Sequence, residues 1–277
     1  MAGERGFTAE EIDTGTPHPA RMYDYYLGGR DNYAADRAAV EPAMEVVPFI
    51  RVGAEANRAF LRRAVRTVVA AGVRQVIDLG TGIPTSPNTH EVAREVAPDT
   101  RVVYVDNDPI VATHAGARLT NTPGTGFVLA DIREPESVLE SPVVRELIDF
   151  GQPVAVCMVA VLHFVTDAED PAGIVRTFVQ ALPPGSMVIL SHGTTDRYED
   201  ADNPLDGTAR SALEDAYRNA TAQLTFRSHE EIQPLLAGLT LLHPGLVRVP
   251  LWRPEGAVPT AEQVSLVGCY GAVGRIS

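Results

Sequence analysis

Between residues 75 and 191, five runs of five to eight residues that are apolar at nearly every position alternate with stretches that repeat apolar residues every three or four positions. The runs are Gln75 to Leu79, Arg101 to Asp106, Gly126 to Ala130, Val154 to Val161 and Met187 to Ser191. A strand without polar alternation is buried on both faces, as in parallel sheets covered by crossover helices. The intervening periodicity predicts those helices at Asn88 to Ala97, Pro109 to Leu119, Ser137 to Ile148 and Pro171 to Ala181. The expected fold class is therefore α/β, a doubly wound, mostly parallel Rossmann-like sheet with helices on both faces.

The flanks follow a different pattern. Ahead of the first strand, Phe60, Leu61, Ala64, Val65, Val68 and Val69 give an amphipathic helix over Ala54 to Ala71, stopped by Gly72, with Arg58, Arg62, Arg63 and Arg66 expected on a solvated face. After the fifth strand comes a loop at Thr194 to Gly207, then helices at Ala209 to Leu224 and Ser228 to Ala237; Ser228 and Glu231 fit a capping box. Two strand-like runs, Leu246 to Trp252 and Gln263 to Ala272, lack a crossover helix between them and are expected to pair antiparallel at the sheet edge. The chain divides into an N-terminal cap over residues 1–50 and a sheet domain over 51–277.

Composition narrows the chemistry. With 277 residues and 45% hydrophobic content the chain can bury a full core. The net charge of −13 argues against nucleic acid, whose affinity rests on cations replacing counterions. All 23 basic residues are Arg. Without Lys there is no Schiff-base nucleophile, no pyridoxal-phosphate anchor and no Walker-type phosphate loop. Cys157 and Cys269 are too few for a disulfide framework and read as core thiols. The polar, acidic first residues and the lack of any apolar run near the ~20 residues needed to span a bilayer place the chain in the cytoplasm, off the membrane. His18, His90, His114, His229 and His243 show no metal-ligand spacing, so no metal is expected.

The first strand, Val76-Ile77-Asp78-Leu79, runs into Gly80-Thr81-Gly82-Ile83-Pro84, a glycine turn at the carboxyl edge where ligands bind in open α/β sheets. The second strand ends in Asp106, placing a carboxylate where a ribose diol can donate to it, with Asn107 beside it; the third delivers Asp131 and Ile132, suited to an adenine amino group and ring. A dinucleotide fingerprint needs G-x-G-x-x-G running straight into a helix that receives pyrophosphate. Here the third glycine is missing and Pro84 and Pro87 interrupt the approach, so the turn suits a ligand without phosphate at that point. That favours S-adenosylmethionine over NAD, leaving an NAD-dependent oxidoreductase and a non-catalytic nucleoside-binding module as the alternatives.

These residues resemble the class I S-adenosylmethionine-dependent methyltransferases: VAVCMVAVLHFVTD is similar to their post-strand-four segment and LPPGSMVILSH to the turn into strand five. More specifically, HPARMYDYYLGGRDNYAADR, NRAFLRRAV, DLGTGIPTSPNTHEVA, VVYVDNDPIV, LADIREP, AVLHFV and HPGLVRVPLWRP resemble an actinobacterial S-adenosyl methyltransferase family, formerly a domain of unknown function, from His18 to Pro254. The resemblance implies that Gly80, Thr81 and Gly82 border the methionine part, Asp106 and Asn107 the ribose, and Asp131 and Ile132 the adenine. Pro84 departs from the superfamily's last glycine, leaving the partner of the methionine carboxylate unassigned.

Four of eight tyrosines, Tyr23, Tyr25, Tyr26 and Tyr33, fall in one N-terminal segment around Gly28-Gly29. The segment reads as a lid whose aromatic faces meet a sulfonium, with Tyr23 at the cofactor and the glycine pair as its hinge; plain helix packing is the other reading. His163, just past strand four, is the candidate catalytic base, with His192 second and Tyr26 or Tyr23 available to orient an acceptor. The expected activity is methyl transfer to a small molecule. Oligomeric state and acceptor are not legible.

Overall fold

The computed structural model describes residues 13–119, 122–198 and 204–277. Residues 1–12, with most of the acidic leader, and 199–203 of the expected loop lie outside them. In chain order the elements are helices α1 (Pro19–Tyr26), α2 (Ala34–Val46) and α3 (Ile50–Ala70), β1 (Gln75–Leu79), α4 (Thr89–Val96), β2 (Arg101–Asp106), α5 (Pro109–Leu119) and β3 (Thr125–Leu129). They continue with α6 (Pro135–Glu140), α7 (Pro142–Leu147), β4 (Ala155–Val159), α8 (Pro171–Ala181), β5 (Met187–Gly193) and α9 (Gly207–Ala216). The chain ends in α10 (His229–Ile232), β6 (Thr240–Leu241), β7 (Val247–Arg248), α11 (Ala261–Ser265) and β8 (Cys269–Arg275).

Among the described residues the strands form one sheet in the order β3-β2-β1-β4-β5-β8-β6, with β7 also paired to β8. The first five are parallel and β8 runs antiparallel to β5. Side chains alternate faces along each strand. Ile77, Leu79, Val103, Val105, Val156, Met158, Val188 and Leu190 therefore pack on one side against α6, α7, α8 and α10. Val76, Val102, Tyr104, Ala155, Cys157, Met187 and Ile189 pack on the other against α3, α4 and Trp252. Two cores explain why the strand sequences are apolar throughout.

The expected helix over 137–148 is split in two because Pro142 cannot donate its backbone nitrogen at that point. The run 246–252 contributes only Val247 and Arg248 to the sheet, opposite Tyr270 and Gly271; Pro250 then turns the chain into a 3-10 turn. Residues 261–265 form α11 instead of strand, started by a Thr260–Gln263 capping box. The outer strand is β6, so β8 lies inside the sheet. Likewise 228–237 is one short α-helix followed by a 3-10 turn, with the Ser228–Glu231 box in place. The helix expected to reach Leu224 ends at Ala216.

A third apolar cluster sits above the carboxyl edge. Met22, Tyr26, Val40, Ala43, Val47 and Ala54 meet Leu205, Ala209, Leu213, Ala216 and Tyr217. The cluster is thus composite, built from both α1–α2 and α9.

Candidate active site

The turn after β1 is held by backbone: the Gly80 and Thr81 N–H groups both donate to Val105 O, at 2.8 and 3.1 Å. Gly80 and Gly82 each have φ +66°, a left-handed conformation that costs other residues. A Cβ on Gly80 would also lie 2.4 Å from Val161 Cγ2, whereas one on Gly82 would meet nothing within 4 Å. Gly80 is fixed by packing; Gly82 faces open space.

That space is a cleft of about 1130 Å3, open mouth included, over the carboxyl ends of β1 to β4. Tyr23, Gly80, Thr81, Gly82, Asp106, Asn107, Asp131 and Ile132 all line it. Asp106 is buried, accepting from Gly82 N at 2.8 Å on Oδ2 and from Asp108 N at 3.0 Å on Oδ1. Burial raises its pKa, opposed chiefly by nearby His18 and these backbone donors. Each oxygen keeps a second lone pair for a ligand hydroxyl. Asp131 Oδ2 accepts from Asn107 Nδ2 and Arg133 Nη1, both at 3.1 Å, tying the ends of β2 and β3 together.

The start of α4 is not free for a phosphate. Asn88 N–H donates to Glu91 Oε2 at 2.5 Å, so the helix's first turn is occupied by its own carboxylate. Asp78, opening the glycine turn, is buried with Oδ2 accepting from Thr89 Oγ1 at 2.6 Å, and burial pushes its pKa up to about 6.

Several cleft residues gave no signal in the sequence. His18, Asn57, Arg58 and Phe164 line it beside the strand ends. Arg58, expected on a solvated stripe, donates from Nη2 to Thr85 O at 2.9 Å and borders Asp78. Arg63 departs from that expectation too, donating to Trp252 O and Val249 O, whereas Arg66 stays on the solvated face and pairs there with Glu95 and Glu255. The helical period locates an apolar face but says nothing about loops that fold back onto the other one.

The N-terminal segment is latched over this cleft. Arg21, 2% exposed, places Nε 3.1 Å from Asp108 Oδ2 and Nη1 3.7 Å from Asp36 Oδ2; His18 Nδ1 lies 3.3 Å from Asp108 Oδ2. Asp36 also accepts from His18 N and Tyr33 N. The Gly28–Gly29 turn is tied down rather than hinge-like: Asp24 Oδ2 accepts from Asp31 N and Asn32 Nδ2, and Arg51 Nη2 donates to Leu27 O. Of the four tyrosines only Tyr23 reaches the cleft. Tyr25 donates to Glu41, and Tyr33 stacks under Arg21.

His163 and Tyr26 do not line the cleft. They line an adjoining cavity of about 750 Å3, open mouth included, that shares Tyr23, Asn57 and Ala160 with it. The shared wall is a hydrogen-bonded chain. Tyr23 Oη donates to Ala54 O at 3.0 Å and accepts from Asn57 Nδ2 at 3.1 Å; Asn57 Oδ1 accepts from Ser191 Oγ at 2.6 Å, and Ala160 N donates to that Oγ at 3.0 Å. Burial pushes the Tyr23 phenol up to about 12, so it is uncharged. His163 Nδ1 accepts from Gly193 N at 3.1 Å, and burial holds its pKa well below the usual range. A neutral ring with Nδ1 accepting carries its proton on Nε2. In this geometry Nδ1 is engaged by Gly193 and the Nε2–H of His163 is left to donate. His192 is spoken for: its Nε2 accepts from Arg227 Nη1 at 2.8 Å, and burial brings its pKa down to about 4.

The S-adenosyl methyltransferase family profile matches residues 5–277. A solved DUF574 family protein from Streptomyces avermitilis MA-4680 is 40% identical, with 96% of this chain and 100% of that one covered and a TM-score of 0.88. A solved structure from Thermobifida fusca YX is 36% identical over 96% of this chain and 97% of its own, with a TM-score of 0.86. An ornithine lipid N-methyltransferase from Singulisphaera acidiphila is 33% identical over 79 residues, 28% of this chain; the match spans 40% of that protein. Nothing among these supports the oxidoreductase alternative. The chain belongs to the S-adenosyl methyltransferase family and is an S-adenosylmethionine-dependent methyltransferase.

Proposed function

We propose that the cleft holds S-adenosylmethionine with the ribose at Asp106 and Asn107, the adenine at Asp131 and Ile132, and the methionine end along Gly80, Thr81 and Gly82, for methylation of a small molecule. The observation that carries the reading is the buried Asp106 carboxylate, which accepts from Gly82 N while the space beside Gly82 stays open. When bound, the cofactor supplies a methyl group on a positively charged sulfur, open to in-line attack by a nucleophile.

The chain's contribution is positional and electrostatic. Asp106 accepts from the ribose hydroxyls with its remaining lone pairs. Arg58 is the cation placed to meet the methionine carboxylate, filling the role that the sequence left unassigned. The described part of the cap, residues 13–50, acts as the lid that keeps water from the donor, fastened by the Arg21–Asp108 pair. Tyr23 presents its ring to both cavities, and His163 and Tyr26 orient an acceptor in the second. The charge of −13 supports a small molecule over nucleic acid. Among the described residues no helix is long and apolar enough to cross a membrane.

Calorimetric titration with S-adenosylhomocysteine tests the site. The expected result is one-site binding that Asp106→Asn weakens by about 1.5–3 kcal/mol, roughly 10- to 150-fold in Kd, as for loss of a charged hydrogen bond. Equal affinity in the two proteins would remove Asp106 from the site.

A further inference from the structure

The second cavity is a separate chamber on the far side of the Tyr23–Asn57–Ala160 wall. Its described lining holds no Asp, Glu or Arg. Val47, Phe49 and Ile50 enter from the N-terminal side, and Leu213, Leu224 and Phe226 from the region around α9. Its titratable groups are uncharged: burial raises the phenols of Tyr26 and Tyr217 and lowers His163. Charge would enter without a partner, which costs several kcal/mol in such a setting. One polar group is left wanting. Tyr26 is 4% exposed and its hydroxyl, alongside that of Tyr217, lacks a hydrogen bond of good geometry.

We infer that this chamber receives the methyl acceptor, and that the acceptor is an uncharged, predominantly apolar small molecule whose polar end lies at the shared wall within reach of Tyr26 and His163. The assignment rests on reading the cleft as the cofactor site, because the wall between them is the one place where a donor in the cleft and a ligand in the chamber come together.

Gly53 gives a direct handle. It lies in α3, lines the chamber but not the cleft, and a Cβ there would meet nothing within 4 Å. Leu at this position starts from a Cβ with open space around it and narrows the chamber, and replacing helical Gly favours the fold. The probe is N-phenyl-1-naphthylamine, an uncharged dye that fluoresces in apolar surroundings, titrated into full-length protein saturated with S-adenosylhomocysteine. Expected are saturable one-site binding by the wild type, a loss of at most threefold in Gly53→Ala and at least tenfold in Gly53→Leu, with S-adenosylhomocysteine affinity within twofold and melting temperature at or above wild type throughout. The anionic relative 1-anilinonaphthalene-8-sulfonate should bind at least tenfold more weakly than the uncharged dye. Absence of dye binding, equal binding to Gly53→Leu, or equal affinity for the sulfonate overturns the chamber assignment while leaving the cleft intact. Failure of the wild type to bind S-adenosylhomocysteine overturns the cleft reading instead.

Discussion

Gly80 and Gly82 share a φ of +66° yet stand in different surroundings, so the same substitution at each separates backbone strain from packing. Alanine in the left-handed region costs roughly 1–2 kcal/mol. At Gly82 nothing lies within 4 Å of the added Cβ, and that is the whole expected loss. At Gly80 the Cβ would sit 2.4 Å from Val161 Cγ2 and 2.8 Å from its Cβ. Overpacking of this kind adds about 1–3 kcal/mol, for a total of about 2–5. Urea unfolding followed by the fluorescence of Trp252, the single tryptophan and fully buried, reads both values. Adding Val161→Ala to Gly80→Ala removes the 2.4 Å contact with Cγ2 but keeps the Cβ at 2.8 Å, so the double-mutant cycle should return a coupling of about 1–2 kcal/mol, part of the overpacking loss. For S-adenosylhomocysteine the proposed site predicts the reverse order: Gly82→Ala should lose more affinity than Gly80→Ala, since its methyl enters the open cleft. Equal destabilisation by the two alanines, or an additive cycle with Val161→Ala, would refute the reasoning.

Three further outcomes follow from the site and its supports. Arg58→Met should weaken S-adenosylhomocysteine at least tenfold but leave adenosine, which lacks the methionine carboxylate, within twofold by calorimetry. Asp108→Ala leaves buried Arg21 short of its nearest carboxylate; losing one partner of a buried pair costs about 3–5 kcal/mol, at about 2–4 °C per kcal/mol a fall of roughly 6–20 °C in Tm by calorimetry. His192 has a folded pKa of about 4 against 6.5 in the open chain, so its contribution is fully present above pH 6.5 and lost as the pH falls toward 4, about 3 kcal/mol over that window. Asp78, raised to about 6, works in the opposite sense in wild type and variant alike. Urea unfolding of His192→Gln should therefore lose less stability than the wild type between pH 7 and pH 4.

The sheet was legible because burial on both faces writes itself into the strands: β1 to β5 lie within two residues of their expected ends. Asp106 and Asp131 were legible for the same reason, since a polar residue ending an apolar strand must sit at the sheet's edge. Less survives where an element is too short to show a period. β6 and β7 have two residues each, and no alternation can announce them. Arg58, Asn57 and His18 reach the cleft from helices and caps outside the strand pattern, so only the fold brings them there. The position of His163 could be inferred from the end of β4, but its protonated nitrogen could not. That depends on a hydrogen bond from Gly193, 30 residues away on β5, which fixes the tautomer.

The apolar cluster above the sheet draws on both halves of the chain, with Met22 and Val40 on one side and Ala209, Leu213 and Tyr217 on the other. Cutting at residue 50 would not release a smaller, self-sufficient enzyme. It would strip the cover from α9 and leave a greasy stripe in water, prone to self-association. Two segments far apart in sequence therefore share one apolar contact over the sheet, and anything that loosens the amino-terminal fifth should be felt nearly two hundred residues downstream.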